Sequence, residues 1–197
     1  MERTEILRIL EETGSIKKGH FKLTSGRHSD TYIQCARIQE FPVLNNRLAA
    51  EAVKRLLYDL PQDTEVDVVA APAVGGIVFG YAVSTALEKR FVWSEREDGK
   101  MKFRRSFEIN PGENVLVCED VVTTGGSVQE LISLVEKAGG IVIGVVSMIY
   151  RGGATEFDAP FYPLIEVRTP SWEPDECELC AKGIELDSPG SRHIAEK

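Results

Sequence analysis

Positive charge is scarce in this chain: 23 Lys and Arg stand against 31 Asp and Glu, a formal net charge of −8. That deficit argues against a nucleic-acid or membrane-surface role, because phosphate backbones and anionic headgroups require a basic field. An anionic small molecule can still bind where local donors outweigh the global field, so any such site has to be locally positive. Long apolar runs are missing too. With no stretch of about eighteen apolar residues, no secretory apolar core and no basic amphipathic start, neither membrane spanning nor targeting has support, and a cytoplasmic protein is expected. Cysteine is sparse, with four in 197 residues (Cys35, Cys118, Cys177, Cys180). That is too few for a disulfide framework in a chain of this size, so reduced thiols are expected.

Two common phosphate-binding patterns are also missing. Neither G-x-x-x-x-G-K-[ST] nor G-x-G-x-x-G occurs, which removes support for an ATP-hydrolysing loop or a dinucleotide-binding unit. What is present is an apolar run, Val115, Leu116, Val117 and Cys118, that ends in Glu119 and Asp120 and leads through Val121 and Val122 to Thr123, Thr124, Gly125, Gly126 and Ser127. Small hydroxyl residues and glycines between a buried strand and a helix leave backbone N–H groups free to surround a phosphate. The two acids can accept hydrogen bonds from sugar hydroxyls beside it. Val128, Leu131, Ile132, Val135 and Ala138 recur at helical spacing, Gly139 and Gly140 stop that helix, and a strand over 141–149 follows. The unit puts the loop at the carboxyl edge of a parallel sheet, where open α/β sheets bind ligands. Ser127 and Glu130 also fit a capping box.

A second strand, loop and helix precede this one. A helix over about 45–58, stopped by Pro61, leads to a strand over 66–70, then to Ala73, Val74, Gly75 and Gly76 and an apolar helix through Ile77, Val78, Tyr81, Ala82 and Thr85. Glycine at that junction lets the backbone approach an anion at a helix N-terminus. Further upstream, Ile6, Leu7, Ile9 and Leu10 suit a short helix. Short strands over 21–23 and 31–34 flank a polar turn. The most charged stretch, residues 94–105, reads as a mobile hairpin loop. At 43% hydrophobic content the 197 residues suit one soluble enzyme domain.

The run VLVCEDVVTTGGSV resembles the signature that binds phosphoribosyl pyrophosphate (PRPP) in type I phosphoribosyltransferases. GHFKLTSGRHSDTYIQ, SEREDGKMKFRRSFEI and CELCAKGIELDSPGSR are similar to segments of the orotate phosphoribosyltransferases and span nearly the whole chain. The resemblance implies an α/β fold with a mostly parallel sheet flanked by helices and a small N-terminal hood. It divides the chain into a hood segment (1–40), a core (41–170) and a tail (171–197) to which no function is assigned. The implied activity is that of a glycosyltransferase of pyrimidine biosynthesis, forming orotidine 5-monophosphate and pyrophosphate from orotate and PRPP. Alternatives are a PRPP-sensing regulator or an enzyme acting on a purine base.

By the same resemblance, Glu119, Asp120, Thr123, Thr124, Gly125, Gly126 and Ser127 bind PRPP, joined by Ala73, Val74, Gly75 and Gly76 at the pyrophosphate, with a cis peptide between Ala73 and Val74. Lys100 and Arg96 are the catalytic candidates and Lys102 a further PRPP contact. They lie on a loop (94–105) shared across a homodimer. Thr123 and Arg151 face orotate, because an arginine fork matches a carboxylate. Magnesium is the implied cofactor, held mainly by PRPP, with no protein residue assigned as a ligand. Thr24 and Gly75 stand where many members carry lysine, which shifts reliance to Arg96, Lys100, Lys102 or metal, with Arg27 and His28 as further contacts. The C-x-x-C of Cys177 and Cys180 supplies half of a zinc site. With His193 as the one nearby candidate and no second ligand pair, it reads as a metal-free segment.

Overall fold

The computed structural model describes residues 1–23, 25–153 and 155–189. The elements in chain order are α1 (Arg3–Glu12), β1 (Ile16–Lys22), β2 (His28–Ile33), α2 (Ala36–Gln39), α3 (Pro42–Asp59), β3 (Val68–Pro72), α4 (Gly75–Leu87), β4 (Arg90–Glu97), β5 (Lys100–Phe103), β6 (Asn114–Val122), α5 (Gly126–Lys137), β7 (Ile141–Tyr150), β8 (Phe161–Glu166), β9 (Ser171–Trp172) and α6 (Glu178–Ala181). Six strands form the main sheet in the order β5-β4-β3-β6-β7-β8. All neighbours are parallel except the β4–β5 pair.

The near-continuous apolar strands β3 and β6 are what a sheet covered on both faces requires. Successive side chains point to opposite faces, so each strand feeds two cores. Val69, Ala71, Leu116 and Cys118 pack with α1, α3 and α4, through residues such as Ile6, Leu48, Leu56 and Phe79. Val68, Ala70, Val115 and Val117 pack with α5 through Val128, Leu131, Ile132 and Val135. Each fully buried branched side chain contributes about 1.5–3 kcal/mol, which holds α4 and α5 against opposite faces with their N-termini at one sheet edge. Among the described residues no helix is long and apolar enough to cross a membrane.

A second, three-stranded sheet has the order β1-β2-β9. The strands expected over 21–23 and 31–34 are longer than the sequence pattern indicated, and the polar turn shrinks. His28 and Ser29 pair with Lys22 and Phe21 of β1 beyond a bulge, so these polar residues are buried strand positions rather than a loop. The third strand, β9, comes from the tail, with Ser29 opposite Ser171 and His28 opposite Trp172. The tail is therefore built into the hood.

Residues 94–105 are also more regular than expected. β4 and β5 form an antiparallel hairpin closed by Asp98 and Gly99, at φ 52° and 77°. Those are the paired positive values of a two-residue turn that suits strand twist. Opposite charges face one another along the ribbon, with Lys102 Nζ 2.6 Å from Glu97 and Arg105 on Glu95. Charge here decorates a strand pair instead of marking an irregular loop.

Candidate active site

Glu119 and Asp120 lie near the carboxyl end of β6, where the apolar strand carries them into the molecule. Glu119 is 8% exposed and Asp120 half-buried. Among the described residues neither meets a cation at ion-pair distance. Burial pushes the Glu119 carboxyl well above its usual range, and Asp120 beside it adds to the rise. Burial raises Asp120 as well. A like charge beside a buried carboxyl disfavours its ionisation, and donors from a ligand would offset that cost. The backbone steadies the pair, with Asp120 N–H donating to Glu119 Oε1 at 3.1 Å and Val121 N–H to Asp120 Oδ1 at 2.8 Å.

Beyond them, Gly125 caps α5 at φ 78°. Its backbone lies so close to the loop after β7 that a Cβ there would sit 2.7 Å from Thr155 Cγ2 and 2.8 Å from Phe157. The first helical bond runs from Gln129 N–H to the Gly125 carbonyl. The N–H groups of Gly126, Ser127 and Val128 thus have no partner within the helix. They open on a 390 Å³ cavity also lined by Glu119, Thr123, Thr124 and Arg96. Thr155 Oγ1 pins the loop by donating to the Thr123 carbonyl at 3.0 Å, a tie the sequence did not single out. The capping-box reading of Ser127 and Glu130 fails: Gly125 takes the cap position with no side-chain cap bond, and Glu130 turns outward to pair with Arg96.

The second loop mirrors the first. The Ala73–Val74 peptide is cis, and α4 begins at Gly75. Gln39 Nε2 donates to the Gly75 carbonyl at 3.0 Å and anchors the loop from α2. A Cβ at Gly75 would lie 2.9 Å from Asp120 Oδ1, and one at Gly76 3.0 Å from Glu119 Oε1. Two acids are therefore wedged between two helix N-termini, a layout that can hold hydroxyls at its centre and phosphates on both flanks.

The basic residues take separate places. Arg96 borders the α5 cavity, where it pairs with Glu130. Lys100 lines a neighbouring groove along α5 with Gln129, Ser133 and Lys137, and Lys102 is held by Glu97. Arg151, at the end of β7, is half-buried and donates to Thr169 Oγ1 at 3.1 Å. Among the described residues it has no carboxylate partner, and burial pulls its guanidinium below the usual value. It opens on a 290 Å³ cavity shared with Thr123, Thr124 and Ser171, next to the α5 loop. Arg27 is engaged elsewhere, donating to Ser171 Oγ at 3.1 Å and to its carbonyl at 2.8 Å and pairing with Glu173.

His28 faces His20, Cys177 and Cys180. The second ligand pair that the tail sequence lacked is thus present, contributed by β1 and β2. Thr24 and His193 lie outside the described residues.

The model of the phosphoribosyl transferase domain matches residues 42–178. An orotate phosphoribosyltransferase from Thermoanaerobacter sp. (strain X514) is 47% identical over 193 residues, 98% of this chain and 99% of its own length. The crystal structure of orotate phosphoribosyltransferase from Aeropyrum pernix superposes with TM-score 0.62 at 22% identity, covering 93% of this chain and 91% of that one. Adenine phosphoribosyltransferase from Saccharomyces cerevisiae superposes as well, with TM-score 0.65 at 20% identity over 81% of this chain and 99% of that one. Fold alone is therefore shared by enzymes named for two different bases, whereas the high-identity match over nearly full length is to one.

Proposed function

The chain belongs to the phosphoribosyltransferase family, among the orotate phosphoribosyltransferases, and from that premise we infer that it joins orotate to PRPP, releasing pyrophosphate and forming orotidine 5-monophosphate in pyrimidine biosynthesis. Its fold is that of the type I enzymes. The observation that carries the choice of base is Arg151: a half-buried guanidinium with no anionic partner among the described residues, facing a cavity beside the α5 loop. Two parallel N–H donors match the orotate carboxylate, an anion that adenine and hypoxanthine lack.

In this reading the free N–H groups at the start of α5 hold the 5-phosphate, Glu119 and Asp120 accept from the ribose hydroxyls, and the N-terminus of α4 faces the pyrophosphate. The bond from the anomeric carbon to pyrophosphate breaks and a bond to the orotate ring nitrogen forms, with loss of the nitrogen's proton. The ribose passes through a cationic state, so no enzyme nucleophile is needed and the protein acts by orienting, excluding water and stabilising charge. Two unpaired carboxylates are hard oxygen donors that suit magnesium, and Glu119 and Asp120 would hold it with PRPP. Magnesium, when bound, neutralises charge on the pyrophosphate.

Lys100 faces a groove beside the α5 cavity of its own chain, a placement consistent with a hairpin that serves a second copy. Val78 and Tyr81 are exposed at 42% and 63% on one face of α4 and suit a homodimer contact. Free thiols suit a cytoplasmic setting.

Incubation with PRPP and each of orotate, adenine and hypoxanthine tests this reading: depletion of orotate alone is expected, and depletion of a purine instead would overturn it. Mixing Lys100→Ala with Glu119→Gln chains tests the sharing. Statistical heterodimers have one intact site, so about a quarter of wild-type turnover should return; no recovery would place Lys100 at its own chain's site.

A further inference from the structure

We propose that His20, His28, Cys177 and Cys180 form a structural zinc site that fastens the tail to the hood. Their ligand atoms all lie within 4.8 Å of one another. His20 Nε2 is 3.1 Å from His28 Nδ1, 3.4 Å from Cys177 Sγ and 3.7 Å from Cys180 Sγ, and Cys180 Sγ is 3.3 Å from His28 Nδ1. A tetrahedron with zinc–nitrogen bonds of about 2.0–2.1 Å and zinc–sulfur bonds of about 2.3 Å has edges of about 3.3 Å between nitrogens and about 3.5 Å between nitrogen and sulfur. These four spacings fall within about 0.3 Å of those edges, and the remaining pairs lie within 4.8 Å.

The surroundings agree. His20 Nδ1 lies 2.8 Å from the Ile184 carbonyl, which can only accept, so that nitrogen carries the proton and Nε2 presents its lone pair to the cluster. The two imidazoles and Cys177 are buried while Cys180 reaches the surface, which gives an ion an entry path. Both cysteines are free thiols. No carboxylate belongs to the group, and two soft thiolates with two imidazoles select zinc over magnesium or calcium. Two thiolates also neutralise a divalent ion, so the closed site carries no net charge into the interior.

The ligands come from opposite ends of the chain: β1 and β2 supply the histidines, while the turn into α6 and α6 itself supply the cysteines. Backbone bonds run the same way, with Asp187 N–H to the His20 carbonyl and Lys22 N–H to the Asp187 carbonyl, both at 2.8 Å. A metal clip that closes so long a loop removes much chain entropy from the unfolded state.

The test is elemental analysis of the full chain, purified without a histidine tag, together with melting curves and cobalt(II) loading after chelation. About one zinc per chain is expected, with visible cobalt absorption typical of tetrahedral sulfur–nitrogen ligation and a fall in Tm of at least about 5 °C on chelation, restored by zinc. Cys180→Ser, at the exposed ligand, should lose the metal and the chelator response together. Folded wild-type protein that holds no zinc after reconstitution and shows no cobalt bands would overturn the site, as would a Cys177–Cys180 disulfide in the purified chain or undiminished zinc in Cys180→Ser. None of these readouts depends on turnover, so they stand apart from the proposed reaction.

Discussion

The two loops beside the acidic pair look alike in sequence, each a strand that runs into small residues, a glycine pair and a helix, yet glycine is needed in them for different reasons. At Gly125 the backbone itself demands it: φ is 78°, and Thr155 and Phe157 occupy the place a side chain would take. At Gly75 no positive φ is involved; the position is crowded only by the Asp120 carboxylate, the far end of a side chain that can turn away. One loop is fixed by conformation and the other by closeness to charge. A lysine at the second position would have to share space with Asp120 here.

Substitutions can break or sharpen that contrast. Gly125→Ala should be the most severe, since a left-handed non-glycine residue costs about 1–2 kcal/mol before any clash is counted, and misplaced phosphate donors should cut kcat/KM by about 100-fold or more. Steady-state kinetics with near-wild-type values would show that the loop tolerates a side chain. Arg151→Ala tests the same loop from the base side. Loss of a charge-assisted pair worth about 1.5–3 kcal/mol should raise the orotate KM by roughly 10- to 100-fold and leave the PRPP KM unchanged; an unchanged orotate KM would remove the assignment. Gly75→Ala should cost less, roughly threefold in the PRPP KM and under about 1 kcal/mol, because only a carboxylate has to swing. A loss equal to that of Gly125→Ala would show that both loops are conformationally fixed.

The smallest effect concerns the acids themselves. Burial raises the folded-state pKa values of Glu119 and Asp120, and the neighbouring Asp120 charge raises Glu119 further. Near pH 3 and below, where folded and unfolded chains both hold nearly all their protons, this costs almost nothing. As pH climbs toward the raised folded values the unfolded chain ionises first, and the native state loses stability. Glu119→Gln should therefore match the wild type most closely near pH 3 and melt a few degrees higher at pH 8, about 2–4 °C for each 1 kcal/mol in a chain of this size. A Tm difference independent of pH would mean the pair is not strained by charge.

The two strand–loop–helix units at the sheet edge were legible in the sequence because their signals are local. An apolar strand, two acids, small residues and a helical stripe follow one another within about two turns of reading frame, and the fold only had to stack two such units side by side. Glu130 misled for the same local reason: its spacing from Ser127 fits a capping box, but Gly125 begins the helix and Arg96, from a distant hairpin, claims the carboxylate. In residues 94–105 the hairpin and its Gly99 were expected, but dense charge concealed that the arms are paired strands. The His20, His28, Cys177 and Cys180 cluster was out of reach because no local pattern joins β1 to α6. The pairing of β2 with β9 and the backbone bonds of Asp187 to His20 and Lys22 bring those ends together.

That pairing sets an order of assembly. Ser171 stands opposite Ser29 and also borders the Arg151 cavity, whereas the main sheet is complete by Glu166. During synthesis from the N-terminus the six-stranded core can therefore close before the wall of the cavity exists. The far wall of that cavity is made only after the main sheet, so a nascent chain can be a folded scaffold before the cavity is closed.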